Sequence, residues 1–221
     1  MANFLFDPQK LPVESIAGEA AVVSARLTPH WLRSRFAHPP EWMPECVDEF
    51  GLQRKHPVPI SASVLVPLVL RESGMTLLLT QRTTHLTDHA GQVSFPGGRV
   101  EPSDVSAADT ALRETQEEVG LERRHIELLG TLPDYVTGTG YVITPVVGLV
   151  KPPFELHADP SEVAEIFEVP LSFLMDGQHH QRLSVQLPSG LRTFYAMPYQ
   201  RFYIWGATAG MLRNLFHFLR A

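Results

Sequence analysis

Residues 106–120, Ser-Ala-Ala-Asp-Thr-Ala-Leu-Arg-Glu-Thr-Gln-Glu-Glu-Val-Gly, constrain this chain more than any other stretch. A helix repeats every ~3.6 residues. Glu114, Glu117 and Glu118 are related as i, i+3 and i+4 and so share one face. Like charges placed in this way repel, and the arrangement becomes favourable when a hard divalent cation with oxygen ligands sits among them. Ala108, Ala111, Leu112, Thr115 and Val119 recur at helical spacing on the opposite face and would meet a core. Ser106 followed by Asp109 resembles a capping box, and Gly120 stands where a left-handed C-cap residue is expected. The spacing predicts a short, delimited helix, buried on one side and acidic on the other. Arg113 and Glu117, four residues apart, are able to pair on it. A merely solvated acidic face would leave the helix punctuation and the upstream Phe95-Pro96-Gly97-Gly98 unexplained.

Composition narrows the classes. A chain of 221 residues is one domain, or one domain with extensions. Its 44% hydrophobic and 19% charged content is ordinary for a soluble globule. The formal net charge of −6 argues against broad binding to a nucleic-acid backbone, so a polyanionic ligand would need local cations and a metal. No run approaches the ~18 consecutive apolar residues of a membrane helix. The first residues lack the basic start and long apolar run of a secretion signal. Cys46 is alone, so no internal disulfide forms, and a reducing, cytoplasmic setting is expected.

The acidic stretch resembles the Nudix box, Gly-x5-Glu-x7-Arg-Glu-U-x-Glu-Glu-x-Gly-U, where U is bulky and apolar. Gly98, Arg113, Glu114, Glu117, Glu118, Gly120 and Leu121 match it. Asp104 stands at the first Glu position, eight residues instead of seven separate it from Arg113, and Thr115 is less apolar than U. The branch of that family that hydrolyses coenzyme A also tends to carry the Asp and the extra residue. Upstream, residues 78–98 are similar to that branch's signature, Leu-Leu-Thr-x-Arg-(Ser/Ala)-x3-Arg-x3-Gly-x3-Phe-Pro-Gly-Gly. Leu78, Leu79, Thr80, Arg82, Gly91, Phe95, Pro96, Gly97 and Gly98 match in register. Thr83 replaces the Ser or Ala. Thr87 replaces the second Arg, which removes a cation able to hold a phosphate. The run Ile204-Trp205-Gly206-Ala207-Thr208-Ala209 also resembles that branch, so the resemblance covers residues from roughly 60 to 215.

The resemblance implies an α/β Nudix fold, a mixed β-sheet sandwiched between helices. It implies metal binding by Glu114, Glu117 and Glu118, with the Gly98 carbonyl a further candidate ligand. Mg2+, or Mn2+, would be the cofactor. The activity implied is hydrolysis of the diphosphate linkage of coenzyme A or acyl-coenzyme A to 3',5'-ADP and 4'-phosphopantetheine or its acyl form. The alternative within the fold is another nucleoside diphosphate derivative, such as a nucleotide sugar, NADH or a dinucleoside polyphosphate. The alternative from another class is a non-catalytic nucleotide-binding module. A homodimer is compatible with the resemblance, and neither nucleic acid nor membrane is an expected partner.

The general base is open. Residues 161–167 offer Glu162 first and Glu165 second, although Glu is also favoured at a helix start by the dipole alone. Arg82 and Arg99 are the candidate phosphate-binding residues, and Tyr141 the candidate for stacking on adenine. A simple turn between strands accounts equally for Thr137-Gly138-Thr139-Gly140 beside it. Among ten histidines, His85 and His89 lie in the signature segment, and neither they nor His179-His180 make a zinc pattern.

Along the chain, residues 1–57 read as an N-terminal extension that wraps the domain or meets a partner, with short helices expected near 14–27 and 29–36. Residues 58–221 read as the hydrolase domain. Strands are expected at 61–70 and 75–81 around a turn, then at 126–132 and 143–150. Helical pieces are expected at 160–166 and 171–175, a hairpin at 183–195, and a final helix at 207–219. The stripe Met211, Leu212, Leu215, Phe218 and Leu219 on that helix suits a core or a dimer face.

Overall fold

The computed structural model describes residues 6–46, 58–86, 89–188 and 190–221. The boundary expected near residue 57 and the substituted Thr87 lie outside the described residues.

The central strand β2, Ile60–Val69, runs parallel to the later strand Tyr141–Val150 over ten residue pairs, Ile60↔Tyr141 to Val69↔Val150. It is buried from Ala62 to Val69, as expected of a strand covered on both faces. The short β1, Ser15–Ile16, and helix α1, Pro29–Ala37, precede it. After a turn, β3, Thr76–Arg82, returns antiparallel, but it pairs with β2 only at Leu68↔Leu77 and Val69↔Thr76. Further along, β2 takes a different neighbour, β5, Gly97–Arg99, at Ala62, Ser63 and Val64. Pro67, which has no N–H to give, falls between these two stretches. Strand β4, Val93–Ser94, pairs with the outer end of β3.

Helix α2, Ala107–Val119, follows β5 and packs on one face of this sheet. Beyond it come β6, Ile126–Thr131, β7, Tyr135–Val136, and β8, Tyr141–Val150, then β9, Val163–Pro170, antiparallel to β3. The larger sheet therefore has eight strands and is mixed, with its main path running β4-β3-β2-β8-β6. Short α3, Leu171–Leu174, leads to β10, Gln181–Leu187, β11, Gly190–Tyr199, and β12, Phe202–Trp205, which with β1 form a separate four-stranded antiparallel sheet. Helix α4, Gly206–Arg220, closes the fold.

Side-chain alternation divides the core. Leu78, Val69 and Val150 meet Val119 and Leu121 on the α2 side. Leu77, Leu79, Val66, Val147 and Leu149 meet Met211, Leu212, Leu215 and Phe216 of α4 on the other. The α4 stripe is core: Met211, Leu212, Leu215, Phe218 and Leu219 are all buried.

Two sequence expectations fail. Residues 14–27 are not helical. They form an extended strap with β1 and a 3-10 turn at Ser24–Leu27. Their N–H groups are taken by distant carbonyls: Glu14 bonds to Arg182, Ala17 to His180, Gly18 to Gly177 and Val22 to Met175. Residues 160–162 are a turn, and 163–170 are strand β9, not a helix. The ladder from Thr76↔Pro170 to Arg82↔Val163 satisfies that backbone. The other expected elements form, with ends displaced by a few residues. Among the described residues no helix is long and apolar enough to cross a membrane.

Candidate active site

Helix α2 begins and ends as its punctuation requires. The Ser106 side chain accepts a hydrogen bond from Asp109 N at 3.1 Å. Gly120 adopts φ 71° and donates to the Gln116 carbonyl. The Asp109 carboxylate reaches back to Val105 N instead of the cap residue's own N–H. The helix carries Glu114 and Glu118 against Gly97-Gly98 at the start of β5.

Glycine is demanded at position 97 of that segment. Gly97 has φ 154°, and a Cβ there would overlap the Ser63 carbonyl on β2. A Cβ on Gly98 would overlap the Glu114 carboxylate. Bare backbone at these positions brings the 97–98 peptides against two of the three α2 glutamates, Glu114 by this packing and Glu118 by a hydrogen bond from Gly97 N to its Oε2 at 3.2 Å.

The three glutamates do not share one exposed face as expected. Glu117 is exposed and Glu114 half-buried, whereas Glu118 is only 4% exposed. Four helical steps turn a side chain ~40° past its starting direction. That rotation carries Glu118 to the margin of the Thr115 and Val119 face, against the start of β5. Burial raises the Glu118 pKa to about 8, and Glu162 and Glu114 push it the same way, against Gly97 N–H and Arg82. Glu114 is also raised, chiefly by burial, with Arg113 opposing.

Arg113 organises the outer side. Its Nε and Nη2 donate to the two oxygens of Asp104, each at 2.9 Å. Its Nη1 donates to Glu114 at 2.9 Å and Glu117 at 3.0 Å, and Nη2 also reaches the Arg99 carbonyl at 3.1 Å. The Arg113 fork, Glu101 N–H and Thr110 hydroxyl together hold the Asp104 carboxyl well below the usual carboxylate range. Asp104 was legible in the sequence only as a departure from a motif. In the structure it is the anchor of Arg113.

Glu162 comes from the loop after β8. Asp159 N bonds to the Glu118 carbonyl and His157 N to the Val119 carbonyl, which docks this loop on the end of α2. Arg82 bridges the gap between the two elements, with Nη1 3.6 Å from Glu118 Oε1 and Nη2 3.7 Å from Glu162 Oε2. Glu165 instead pairs with Arg201. His85 lies beside the loop, with Nε2 3.1 Å from the Ser161 carbonyl, and His89 meets Gln92 at 2.9 Å. Arg99 and Tyr141 engage each other: Arg99 Nε donates to the Tyr141 hydroxyl at 2.9 Å, and the guanidinium lies 5.3 Å from the ring centroid. The 137–140 segment is the turn joining β7 to β8.

Glu114 and Glu118, with the Gly98 carbonyl a further candidate, could offer a divalent cation hard oxygens, and the neighbouring Glu114 raises the pKa of the buried Glu118. No group of three or more His, Cys, Asp or Glu side chains is closed round a metal-sized point among the described residues. Carboxylate and carbonyl oxygens are the donors that a hard cation such as Mg2+ takes. A cavity of about 500 Å3 lined by Val22, Leu27, Pro170, Phe173 and Tyr199 lies at the opposite end of β9 from Glu162, and none of the candidate residues line it.

A family profile described as NUDIX domain matches residues 59–187. The chain is 42% identical over 154 residues to a protein of Enterobacter sp. (strain 638) called uncharacterized Nudix hydrolase NudL, a match spanning 70% of this chain and 80% of that one. It is 41% identical, over the same shares, to the protein of that name from Escherichia coli (strain K12). Among solved structures it is similar to a C. elegans Ap4A hydrolase binary complex, with 17% identity, a TM-score of 0.44, and coverage of 50% of this chain and 80% of that one.

Proposed function

This chain belongs to the Nudix family of hydrolases, and from that membership we propose that it cleaves the diphosphate linkage of coenzyme A or acyl-coenzyme A. The observation that carries the hydrolytic reading is the placement of Glu114 and Glu118 against Gly97-Gly98, with Arg82 between Glu118 and Glu162. The coenzyme A reading rests on the 78–98 signature and on Asp104 with its extra residue before Arg113.

Glu114 and Glu118 would hold the metal, with Glu117 and the Gly98 carbonyl as further oxygens. Bound Mg2+ or Mn2+ supplies charge neutralisation on the diphosphate and a more acidic water. The chain's own part is positioning and electrostatics. Arg113, fixed by Asp104, holds Glu114 and Glu117 in place. Glu162, at the mouth of the site, takes the proton of the attacking water. That water adds to one phosphorus, and the bond to the bridging oxygen breaks, with the other phosphate leaving. Arg82 would offer phosphate oxygens its guanidinium, and Arg99, now engaged with the Tyr141 hydroxyl, is the second candidate.

The test is turnover of the purified protein with Mg2+ on coenzyme A, acyl-coenzyme A, NADH, ADP-ribose and dinucleoside polyphosphates. Coenzyme A should give 3',5'-ADP and 4'-phosphopantetheine, with 18O from labelled water in one phosphate product. Free acid and intact coenzyme A from acyl-coenzyme A would show a thioesterase and overturn the reading. The Thr87 substitution favours the second reading, another nucleoside diphosphate derivative. Equal turnover of coenzyme A and dephospho-coenzyme A, alongside faster turnover of such a derivative, would select it.

A further inference from the structure

On β3, Leu78 packs against Val119 of α2, and strand alternation puts Thr80 and Arg82 on that same face. Arg82 thus emerges beneath the last turn of α2. The ladder slips here: Gln81 pairs with Glu165 and Arg82 with Val163, so Ala164 is skipped. Such bulges re-aim side chains beside active sites. The Arg82 guanidinium ends between Glu118 and Glu162, at 3.6 and 3.7 Å, outside hydrogen-bond reach of both. Its buried Nε has no hydrogen-bond partner among the described residues. Arginine carries five donors in a rigid fork and does not lose its proton. A permanent positive charge therefore lies against a carboxylate assigned to the metal, with both terminal nitrogens uncommitted to a hydrogen bond with either carboxylate.

Two consequences oppose each other. A divalent cation approaching Glu118 meets a like charge in a partly buried place, where salt screens little. A diphosphate offers the fork the acceptors that Glu118 and Glu162 do not supply at these distances, and it draws the guanidinium's field away from Glu118. We propose that Arg82 couples the two ligands: it holds divalent-metal affinity down until a diphosphate engages its guanidinium, and then releases it. By linkage, the metal must tighten diphosphate binding by the same factor. The inference rests on reading Glu118 as a metal ligand and the substrate as a diphosphate.

The experiment is Mn2+ binding to the full chain, followed by electron paramagnetic resonance of free Mn2+, with and without α,β-methylene-ADP as a non-hydrolysed diphosphate. In the wild type the analogue should tighten Mn2+ by at least ~5-fold, the lower end of ordinary coupling. Arg82→Gln should bind Mn2+ more tightly than wild type without the analogue, and the analogue's effect should shrink. Arg82→Lys, which keeps the charge and loses the fork, should retain weak Mn2+ binding alone and show a reduced analogue effect. Unchanged or weaker Mn2+ binding by a folded Arg82→Gln variant overturns the coupling. Glu118→Gln separates the two failures. If it abolishes Mn2+ binding while Arg82→Gln does not tighten it, only the coupling is wrong. If it leaves Mn2+ binding intact, the metal assignment is wrong and the proposal falls with it.

Discussion

Arg113 on α2 and Arg213 on α4 each gather several acidic partners, yet they serve opposite ends of the molecule. Every polar partner of Arg113 lies between Arg99 and Glu117 in the chain. Arg213 draws in Glu19, Glu45, His180 and Tyr195 from four separate segments. Its side chain is 1% exposed. Nε donates to Glu45 at 2.8 Å and Nη2 to Glu19 at 2.8 Å, and the group stacks 4.6 Å from the Tyr195 ring centroid. Cys46 and Asn214 exchange two further hydrogen bonds beside it. The Arg213 centre pins the N-terminal strap to α4. The Arg113 centre orients glutamates at the mouth of a site. Multiple ion pairs on an arginine therefore do not by themselves distinguish a lock from a catalytic scaffold. What distinguishes them is the arginine's own surroundings: Arg213 is 1% exposed and joins distant segments, whereas Arg113 is 16% exposed and its partner Glu117 stays 60% exposed.

That contrast breaks first if Glu118 proves dispensable. Glu118→Gln should lower kcat by at least ~10²-fold, the scale of losing one preorganised electrostatic group. The same change should raise the melting temperature in the presence of a chelator. Glu118 titrates at about 8 in the fold against 4.5 ordinarily, so its contribution to stability declines as pH rises from 4.5 through 8. The gain in the Gln variant should therefore be larger at pH 8 than at pH 5, read by calorimetry at both. Full activity at saturating Mg2+ would remove Glu118 from the metal site.

Arg213→Ala should do the reverse, with stability lost and chemistry kept. Breaking a buried pair costs ~3–5 kcal/mol, and about 3 kcal/mol is expected here because Glu19 and Glu45 retain water contact. Urea unfolding should show this loss, while kcat per folded molecule stays near wild type. A selective loss of kcat would make Arg213 part of the site after all. Arg113→Lys keeps the charge but cannot span both Asp104 oxygens. A fall of ~10–100-fold in activity or metal affinity, the usual effect of disturbing an outer partner of a metal ligand, should come with little change in unfolding midpoint.

The smallest effect lies in acid. Glu45 sits at about 2, where bonds from His217 and Tyr195 and the Arg213 charge outweigh its burial. Its folded pKa is below the unfolded value, so its stabilisation is present above pH 4.5 and lost as pH falls through 2. His180 is pushed down to about 4 by burial and Arg213, so it stays neutral in the fold and loses stability for the protein as pH falls from 6.5 towards 4. Glu45→Gln should flatten the stability profile between pH 4.5 and 2 and leave the His180 portion above it. An unchanged profile would show that Glu45 is not held by this network.

The differing legibility of the two centres follows from range. Ser106, Asp109 and Gly120 act on backbone groups within four residues, and the Arg113 to Glu117 pair is a single helical turn. The helix expected at 160–166 does not form, because Ser-Glu-Val-Ala-Glu suits a helix start as well as a strand. The choice was made by β3, more than eighty residues earlier, whose edge could be satisfied only by a strand. Nothing in the local spelling of Glu19, Glu45 or Arg213 marks them as partners.

The sequence by itself determined the capped acidic helix, the glycines that let backbone approach it, the apolar stripe of α4 and the hard-oxygen character of the site. All are consequences of spacing and residue chemistry that act over a turn or a strand. Only the tertiary structure decided that Glu118 is buried, that Arg82 stands between it and Glu162, that Glu165 turns away to Arg201, and that the first segment is a strap and not a helix. These depend on which distant surface covers a side chain and which distant carbonyl takes an N–H, and such choices are settled by packing and ladder pairing across the fold.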